Sequence, residues 1–336
     1  MQLRTDFLPQ GNDATINTIY IGGGTPSQIS RTDIDRLFNN IYKVYGCKSS
    51  ETTVEVNPDD VDSNLVRCLV NNGVNRVSMG AQTFDDERLR WLHRRHSSKQ
   101  VYEAVDCLRQ GGIARISVDL MYGFPNQTAE QWQYDIDEVI KLGVEHVSAY
   151  SLMYEEGTPL YRLLEKHEIK ENDEELSLLM YNMLVEQLRS AGYEHYEVSN
   201  FSRPNYNSRH NLNYWNNEEY YGFGVAAHGY QNGIRYGNIE TIEEYLNNPI
   251  QHKEEKLITP QERLEEEIFL GFREMKGIMV SKINCKYGID FEQKYQNILN
   301  KYLELKLIQK TQNGYSLTPN GILVSNVILA DFLEDK

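Results

Sequence analysis

Over its first two thirds, the chain alternates short β-rich runs with amphipathic helical runs, and this alternation restricts its fold more than any other feature. Candidate strands are residues 16–21, 51–57, 75–80, 113–120, 145–152 and 193–199. The runs between them carry a helical period, and three of them stop at Gly73, Gly111 and Gly143. Glycine is the expected stop because it tolerates the left-handed backbone just past a helix. Strands and helices in this rhythm make parallel βαβ units, so the spacing predicts an α/β fold, either a barrel or a doubly wound sheet. In both, ligand chemistry gathers at the carboxyl ends of the strands.

The rhythm is lost after residue 200. Residues 200–250 are rich in Asn, Tyr and Gly and show no clear period. So aromatic a stretch is unlike a disordered one, and it reads as a lid or binding loop. Thr259-Pro260-Gln261-Glu262 then opens a helix with a capping box and proline in the first turn. Three helical runs and two short strands around Gln312-Asn313-Gly314 follow, a winged-helix-like pattern. The expected organisation is a barrel-type domain over 1–250, with an aromatic loop at 200–235, and a small domain over 259–336. The boundary is expected near 250–258.

Composition removes several function classes. The 34 Lys+Arg against 49 Asp+Glu give a net charge of −15, which opposes general adhesion to nucleic acid or anionic membrane. Between Lys276 and Lys310, seven Lys and three Asp/Glu give a local net of +4 that could touch phosphates. Those lysines are scattered through amphipathic helices, the pattern of a solvated face, so no nucleic-acid partner is expected. No apolar run approaches the ~20 residues of a membrane span, and the first residues lack a signal-peptide pattern. A cytoplasmic protein with no transmembrane segment is expected. The four cysteines, Cys47, Cys68, Cys107 and Cys285, are too far apart for a C-x-x-C ligand set. Cys68 and Cys107 sit in helical runs and read as small buried thiols.

The strand ends carry the candidate chemistry. Gly22-Gly23-Gly24-Thr25-Pro26 follows the first strand, and fits neither the P-loop nor the dinucleotide spacing. Glu55, Gln82 and Asp119 each fall at or near a carboxyl end on consecutive units, with Arg94 close behind in sequence. Acid, amide and guanidinium groups around a glycine loop suit a polar ligand bearing an amino group, a carboxylate and ribose hydroxyls. Any one of them is as well explained by strand-end capping or a buried ion pair.

The segments GGGTPS, EVNPDD, SMGAQTFDDERLRWLHRRH, VDLMYGFPNQT and EGTPL, in this order, resemble the radical S-adenosylmethionine family of oxygen-independent coproporphyrinogen III oxidase. Within that family the chain is most similar to the haem-chaperone branch, and the similarity extends through YSLTPNGILVSN. The resemblance implies a partial parallel (β/α) barrel that cradles S-adenosylmethionine, followed by the small winged-helix-like domain. By that resemblance Gly22, Gly23 and Gly24 line the methionine end and Glu55 faces the ribose. Gln82, Arg94 and Asp119 match positions that contact a further adenosylmethionine. The family also places a strand and a C-x-x-x-C-x-x-C loop, which holds a [4Fe–4S] cluster, ahead of the GGGTP strand. This chain begins at MQLRTDF, which resembles the tail of the helix after that loop. The barrel is therefore expected to lack its first strand, and the cluster is expected only in a full-length form, because no cysteine here matches a ligand.

His210-Asn211-Leu212-Asn213-Tyr214-Trp215 matches an HNxxYW motif similar to that of the haem-chaperone branch. A neutral imidazole is a good axial ligand for haem iron, and Tyr and Trp offer flat apolar faces to a porphyrin. His210 is thus the expected iron ligand, with Asn211, Tyr214 and Trp215 beside it and His228 as the other candidate. The structural alternative is a loop in which His210 bonds a carbonyl and the rings fill the barrel mouth. His93 and His96 flank Arg94 and Arg95, whose charge opposes a metal. The expected function is a haem chaperone that binds S-adenosylmethionine and haem or porphyrin and serves an unidentified haem acceptor. The alternative is oxidative decarboxylation of coproporphyrinogen III.

Overall fold

The computed structural model describes residues 16–46 and 49–333. MQLRTDF and Cys47 lie outside the described residues. These divide into two compact units, 16–207 and 208–333, so the division falls upstream of the 250–258 boundary read from the sequence.

In residues 16–207, seven strands form one sheet: β1 (Thr18–Ile21), β2 (Glu51–Val56), β3 (Arg76–Gln82), β4 (Arg115–Tyr122), β5 (His146–Ser151), β6 (Glu194–Glu197) and β7 (Asn200–Ser202). Their spatial order is β1-β2-β3-β4-β5-β7-β6. Strands β1 to β5 are parallel neighbours in chain order, the arrangement of a barrel wall rather than of a doubly wound sheet, where the order reverses. The last expected strand departs from this pattern. β6 pairs antiparallel with β7, and β7 pairs antiparallel with β5. A three-residue strand beginning at Asn200 leaves no period to read.

Alternation along each strand sends side chains to opposite faces. Val54, Val56, Val77, Met79, Ile116, Val118, Leu120, Val147 and Ala149 are buried on one face. The helices contribute buried stripes at helical spacing, such as Leu65, Val66 and Leu69, or Trp132, Ile136 and Val139. The other face carries Tyr20, Thr53, Glu55, Arg76, Ser78, Ser117, Asp119, His146 and Ser148. His146 is fully buried there, with Nδ1 2.7 Å from Ser117 Oγ and Nε2 2.8 Å from Tyr196 Oη. Burial holds its pKa well below the usual imidazole value. Of the three glycine stops, Gly73 (φ +79°) and Gly143 (φ +66°) are left-handed. At Gly111 that conformation passes to Gly112, and Gly111 serves packing instead, since a Cβ there would stand 2.1 Å from Val66.

Residues 208–333 hold two three-stranded sheets. The first is β8 (His228–Gln231), β9 (Ile234–Asn238) and β10 (His252–Leu257), antiparallel in the order β10-β9-β8. The second is β11 (Ile278–Met279), β12 (Ile308–Lys310) and β13 (Gly314–Leu317), in the order β11-β13-β12. It accompanies helices Pro260–Gly271, Val280–Tyr287 and Gln296–Glu304 in a winged-helix-like arrangement. The capping box forms, with Glu262 N–H donating to Thr259 Oγ1 at 3.2 Å and Thr259 N–H to Glu262 Oε2 at 3.0 Å. Several of the lysines counted above stand in local ion pairs: Lys276 with Glu274, Lys282 and Lys286 with Glu267, and Lys301 with Asp331. Among the described residues, no helix is long and apolar enough to cross a membrane.

Candidate functional site

The glycine loop leaves β1 directly beside Glu55. A Cβ on Gly22 would stand 2.6 Å from the Tyr20 ring and 2.7 Å from Glu55 Oε1, so no side chain fits there. Gly23 (φ +80°) and Gly24 (φ +67°) adopt a backbone that other residues rarely take, and both face open space. Tyr20 O–H donates to Glu55 Oε1 at 2.8 Å, and Gly23 N–H donates to Oε2 at 2.9 Å. Glu55 therefore ties down the loop and is itself oriented. Burial and the adjacent Glu55 raise the Tyr20 pKa, so the phenol stays protonated and remains a donor.

Gln82 and Arg94 converge over Gly80, where an added Cβ would meet Gln82 Nε2 at 2.8 Å and Arg94 Nη2 at 3.2 Å. Arg94 Nη2 donates to Asn57 Oδ1 at 2.9 Å and to Gly80 O at 3.0 Å. Burial lowers the Arg94 pKa. On the neighbouring strand, in register with Gly80, Asp119 accepts from Ser78 Oγ at 3.2 and 3.3 Å. Burial raises the Asp119 pKa, against the pull of Ser148, Arg76 and Ser78. The seven predicted residues thus fall on β2, β3 and β4, on the loop after β1, and, for Arg94, just past the helix Asp86–Trp91 that follows β3.

The position of Gln82 comes at a local cost. The β3–β4 register shifts between Gly80 and Gln82, and Thr83 N–H donates to Ala81 O at 2.9 Å around a Gln82 φ of +68°. This is the strained form of a three-residue turn, worth on the order of 1–3 kcal/mol. Asp135, fully buried on helix Ala129–Leu142, holds it. The carboxylate accepts from Thr83 Oγ1 at 2.9 and 3.0 Å and from Phe84 N–H at 2.6 Å. Burial pushes its pKa up to about 6. Tyr20, Asn57, Arg76 and Asp135 were missed from the sequence. For Asp135 a signal existed: an acid on the buried stripe of Trp132, Ile136 and Val139.

The aromatic stretch is not one irregular loop. Residues Arg209–Trp215 form a short helix, capped by Ser208 Oγ accepting from Asn211 N–H at 3.3 Å. Further on, Asn232 (φ +50°) and Gly233 (φ +77°) turn β8 into β9, and an Asn-Gly pair between apolar runs is a hairpin signal that the sequence did carry. Helical spacing puts His210 over Tyr214 and Asn211 over Trp215. His210 Nε2 lies 3.1 Å from Tyr214 Oη, with the rings edge-on at 4.9 Å, and Tyr214 meets Tyr220 edge-on at 4.7 Å. Burial pushes the Tyr214 pKa up to about 12. All four predicted haem residues are half-buried. His228 is exposed on β8. His96 is buried with Nε2 3.1 Å from Ala81 O, and His93 is exposed, so they form no metal pair.

The donor set at the strand ends fits S-adenosylmethionine: a glycine backbone open to a ligand, carboxylates for cationic groups and a guanidinium for a carboxylate. The described cysteines do not fit a [4Fe–4S] cluster. Cys68, Cys107 and Cys285 stand on three different helices, and among the described residues no three metal-ligating side chains converge. Burial raises the Cys68 and Cys107 pKa values, which disfavours thiolates.

Known proteins extend this picture. The radical SAM superfamily matches residues 9–139, and the HemN C-terminal domain matches residues 258–324. The fold resembles that of coproporphyrinogen III oxidase HemN from Escherichia coli, a radical SAM enzyme, with a TM-score of 0.80 at 19% identity over 95% of this chain and 78% of that one. The molecule therefore has a radical SAM fold with a HemN-type C-terminal domain. It is 36% identical over 323 residues to the haem chaperone HemW of Lactococcus lactis, covering 95% of this chain and 85% of that protein. It is 35% identical over 324 residues to HemW of Bacillus subtilis, covering 95% and 86%. The chain belongs to the HemW family of haem chaperones.

Proposed function

We propose that this chain binds S-adenosylmethionine at the ends of β1–β4, binds haem on the Arg209–Trp215 helix and delivers it to an acceptor protein. At the first site, Gly22, Gly23 and Gly24 offer main-chain groups to the methionine end, and Glu55 accepts from ribose hydroxyls. Gln82, Arg94 and Asp119 receive the polar end of an adenosylmethionine. At the second site, His210 supplies an imidazole, Asn211 flanks it, and Tyr214 and Trp215 supply apolar faces. Haem would bring an iron that accepts an axial nitrogen. No radical step is assigned, because the described cysteines do not hold a cluster.

The observation that carries the haem reading is the half-buried stack of His210, Tyr214 and Tyr220 beside Trp215. Titration with haemin should give a shifted Soret band with saturable stoichiometry, and His210→Ala should move or weaken it. Tyr214→Ala and Trp215→Ala should weaken binding and leave the ligand field unchanged, since stacking does not touch the iron. A His210→Ala spectrum identical to the wild type would remove His210 as ligand.

A further inference from the structure

Arg273 directly follows the Phe272 cap of helix Pro260–Gly271, and its guanidinium lies over two rings. The guanidinium carbon is 5.6 Å from the Trp215 ring centre and 5.0 Å from that of Phe269. Arg273 Nε and Trp215 Nε1 are both buried, and neither has a hydrogen-bond partner among the described residues. The adjacent carboxylate, Glu274, is taken by Lys276 at 2.7 Å. Arg235, in the same unit, shows the contrast: its Nε and Nη2 both donate to Glu266 at 2.8 Å.

Both orphan groups are donors only, and the guanidinium keeps its charge at any ordinary pH. A buried donor without a partner is costly, so such groups are normally paired in the functional state. What completes this pair is an acceptor, and a guanidinium selects an anionic one. The ring walls select a ligand whose anion is attached to an apolar body.

We propose that Arg273 and the indole N–H of Trp215 form a receiving site for a carboxylate carried on a flat apolar ligand. This rests on the haem reading, under which the carboxylate is a porphyrin propionate. Arg273 then acts by charge and hydrogen bonding and His210 by coordination, so the two contributions can be measured separately.

Three probes separate them: haemin, haemin dimethyl ester, whose propionates carry no charge, and metal-free protoporphyrin IX. The wild-type chain should bind haemin about tenfold or more tightly than the ester, the ratio expected for a charge-assisted hydrogen bond. Arg273→Gln should bring haemin down to the level of the ester, with ester binding and the Soret position unchanged. Arg273→Lys should keep part of the preference. Trp215→Phe, which retains a ring but no N–H, should lose part of it. A thermal melt identifies any variant that fails to fold, and the Lys and Phe variants then carry the test. Equal wild-type affinity for haemin and its ester overturns the proposal, as does an Arg273→Gln chain that still prefers haemin. If iron coordination at His210 fails but protoporphyrin IX still depends on Arg273, the carboxylate site stands and the ligand assignment falls. If none of the three probes binds, both fall.

Discussion

The two candidate sites differ in how far the free protein satisfies its own polar groups. At the strand ends, Glu55 is held by Tyr20 and Gly23, Arg94 by Asn57 and Gly80, and Asp119 by Ser78. These side chains are oriented before a ligand arrives, and their partners belong to the sheet and its loops. On the Arg209–Trp215 helix, by contrast, the buried N–H of Trp215 and that of neighbouring Arg273 have no acceptor among the described residues. A site of the first kind loses affinity when a supporting residue is changed, because the geometry slackens. A site of the second kind gains its missing partners only from the ligand. Fold stability and ligand affinity should therefore be tightly linked at the strand ends and weakly linked at the helix.

The strongest way to break that contrast is at Asp135. Asp135→Ala removes the acceptor for buried Thr83 Oγ1 and Phe84 N–H, and should destabilise the fold by about 2–4 kcal/mol in urea unfolding. S-adenosylmethionine binding should weaken with it, because Gln82 is released from its strained turn. The carboxyl also gives a pH signature. Its folded pKa of about 6 lies above the value near 3.9 of an unfolded Asp. The protonated form therefore contributes stability that is fully present below about pH 4 and is lost as pH rises through about 6. Arg88 pulls against this shift and Asp85 adds to it. Relative to Asp135→Asn, the wild type should lose about 2–3 kcal/mol between pH 4 and pH 7. A flat difference would show that the hydrogen bonds from Thr83 and Phe84, which pull the pKa down, fully offset the burial of the carboxyl.

How much of this was legible follows the same physics. Strands β1–β5 were readable because apolar residues on one face alternate with mostly polar residues on the other, which imposes a period of two, and because helices separate them at regular spacing. β7 was not, being three residues long. The glycine loop, Glu55, Gln82, Arg94 and Asp119 could be placed because strand ends are where the chain turns. Their supports could not, since Tyr20 to Glu55 and Thr83 to Asp135 are contacts across 35 and 52 residues. The helix at His210 escaped because seven residues give barely two turns, and none of them is fully buried. Arg273 had no local signal at all. Its significance depends on what it fails to meet, and only coordinates reveal that.

Asp119 sharpens the contrast at smaller amplitude. It faces Arg76, Ser78, Ser148 and Glu55, and burial holds its carboxyl above the usual range. A ligand ammonium or sulfonium beside it would favour the ionised form, so binding at a pH near or below the raised pKa should release a proton. Affinity for S-adenosylmethionine should then fall as the pH drops through the raised pKa, by at most about tenfold per pH unit. Calorimetry in buffers of different ionisation enthalpy measures the proton, and Asp119→Asn should abolish it. A proton taken up on binding would reverse the assigned charge logic.

The smallest expected effect lies on the helix, where a hydroxyl competes with the ligand. Tyr214 Oη stands 3.1 Å from His210 Nε2, and with its pKa near 12 the phenol is neutral under any working condition. If Nε2 is the nitrogen that meets iron, that hydrogen bond must break first, at a net cost of about 0.5–1.5 kcal/mol. Tyr214→Phe removes the hydroxyl and keeps the edge-on stack with His210 and Tyr220. It should tighten haem binding by roughly two- to tenfold, in proportion to that net cost. Tyr214→Ala, which also removes the ring, should weaken it. The opposite signs distinguish a competitor from a supporting partner. Should both variants weaken binding, the hydroxyl orients His210 as Tyr20 orients Glu55, and in that respect the helix would resemble the strand ends.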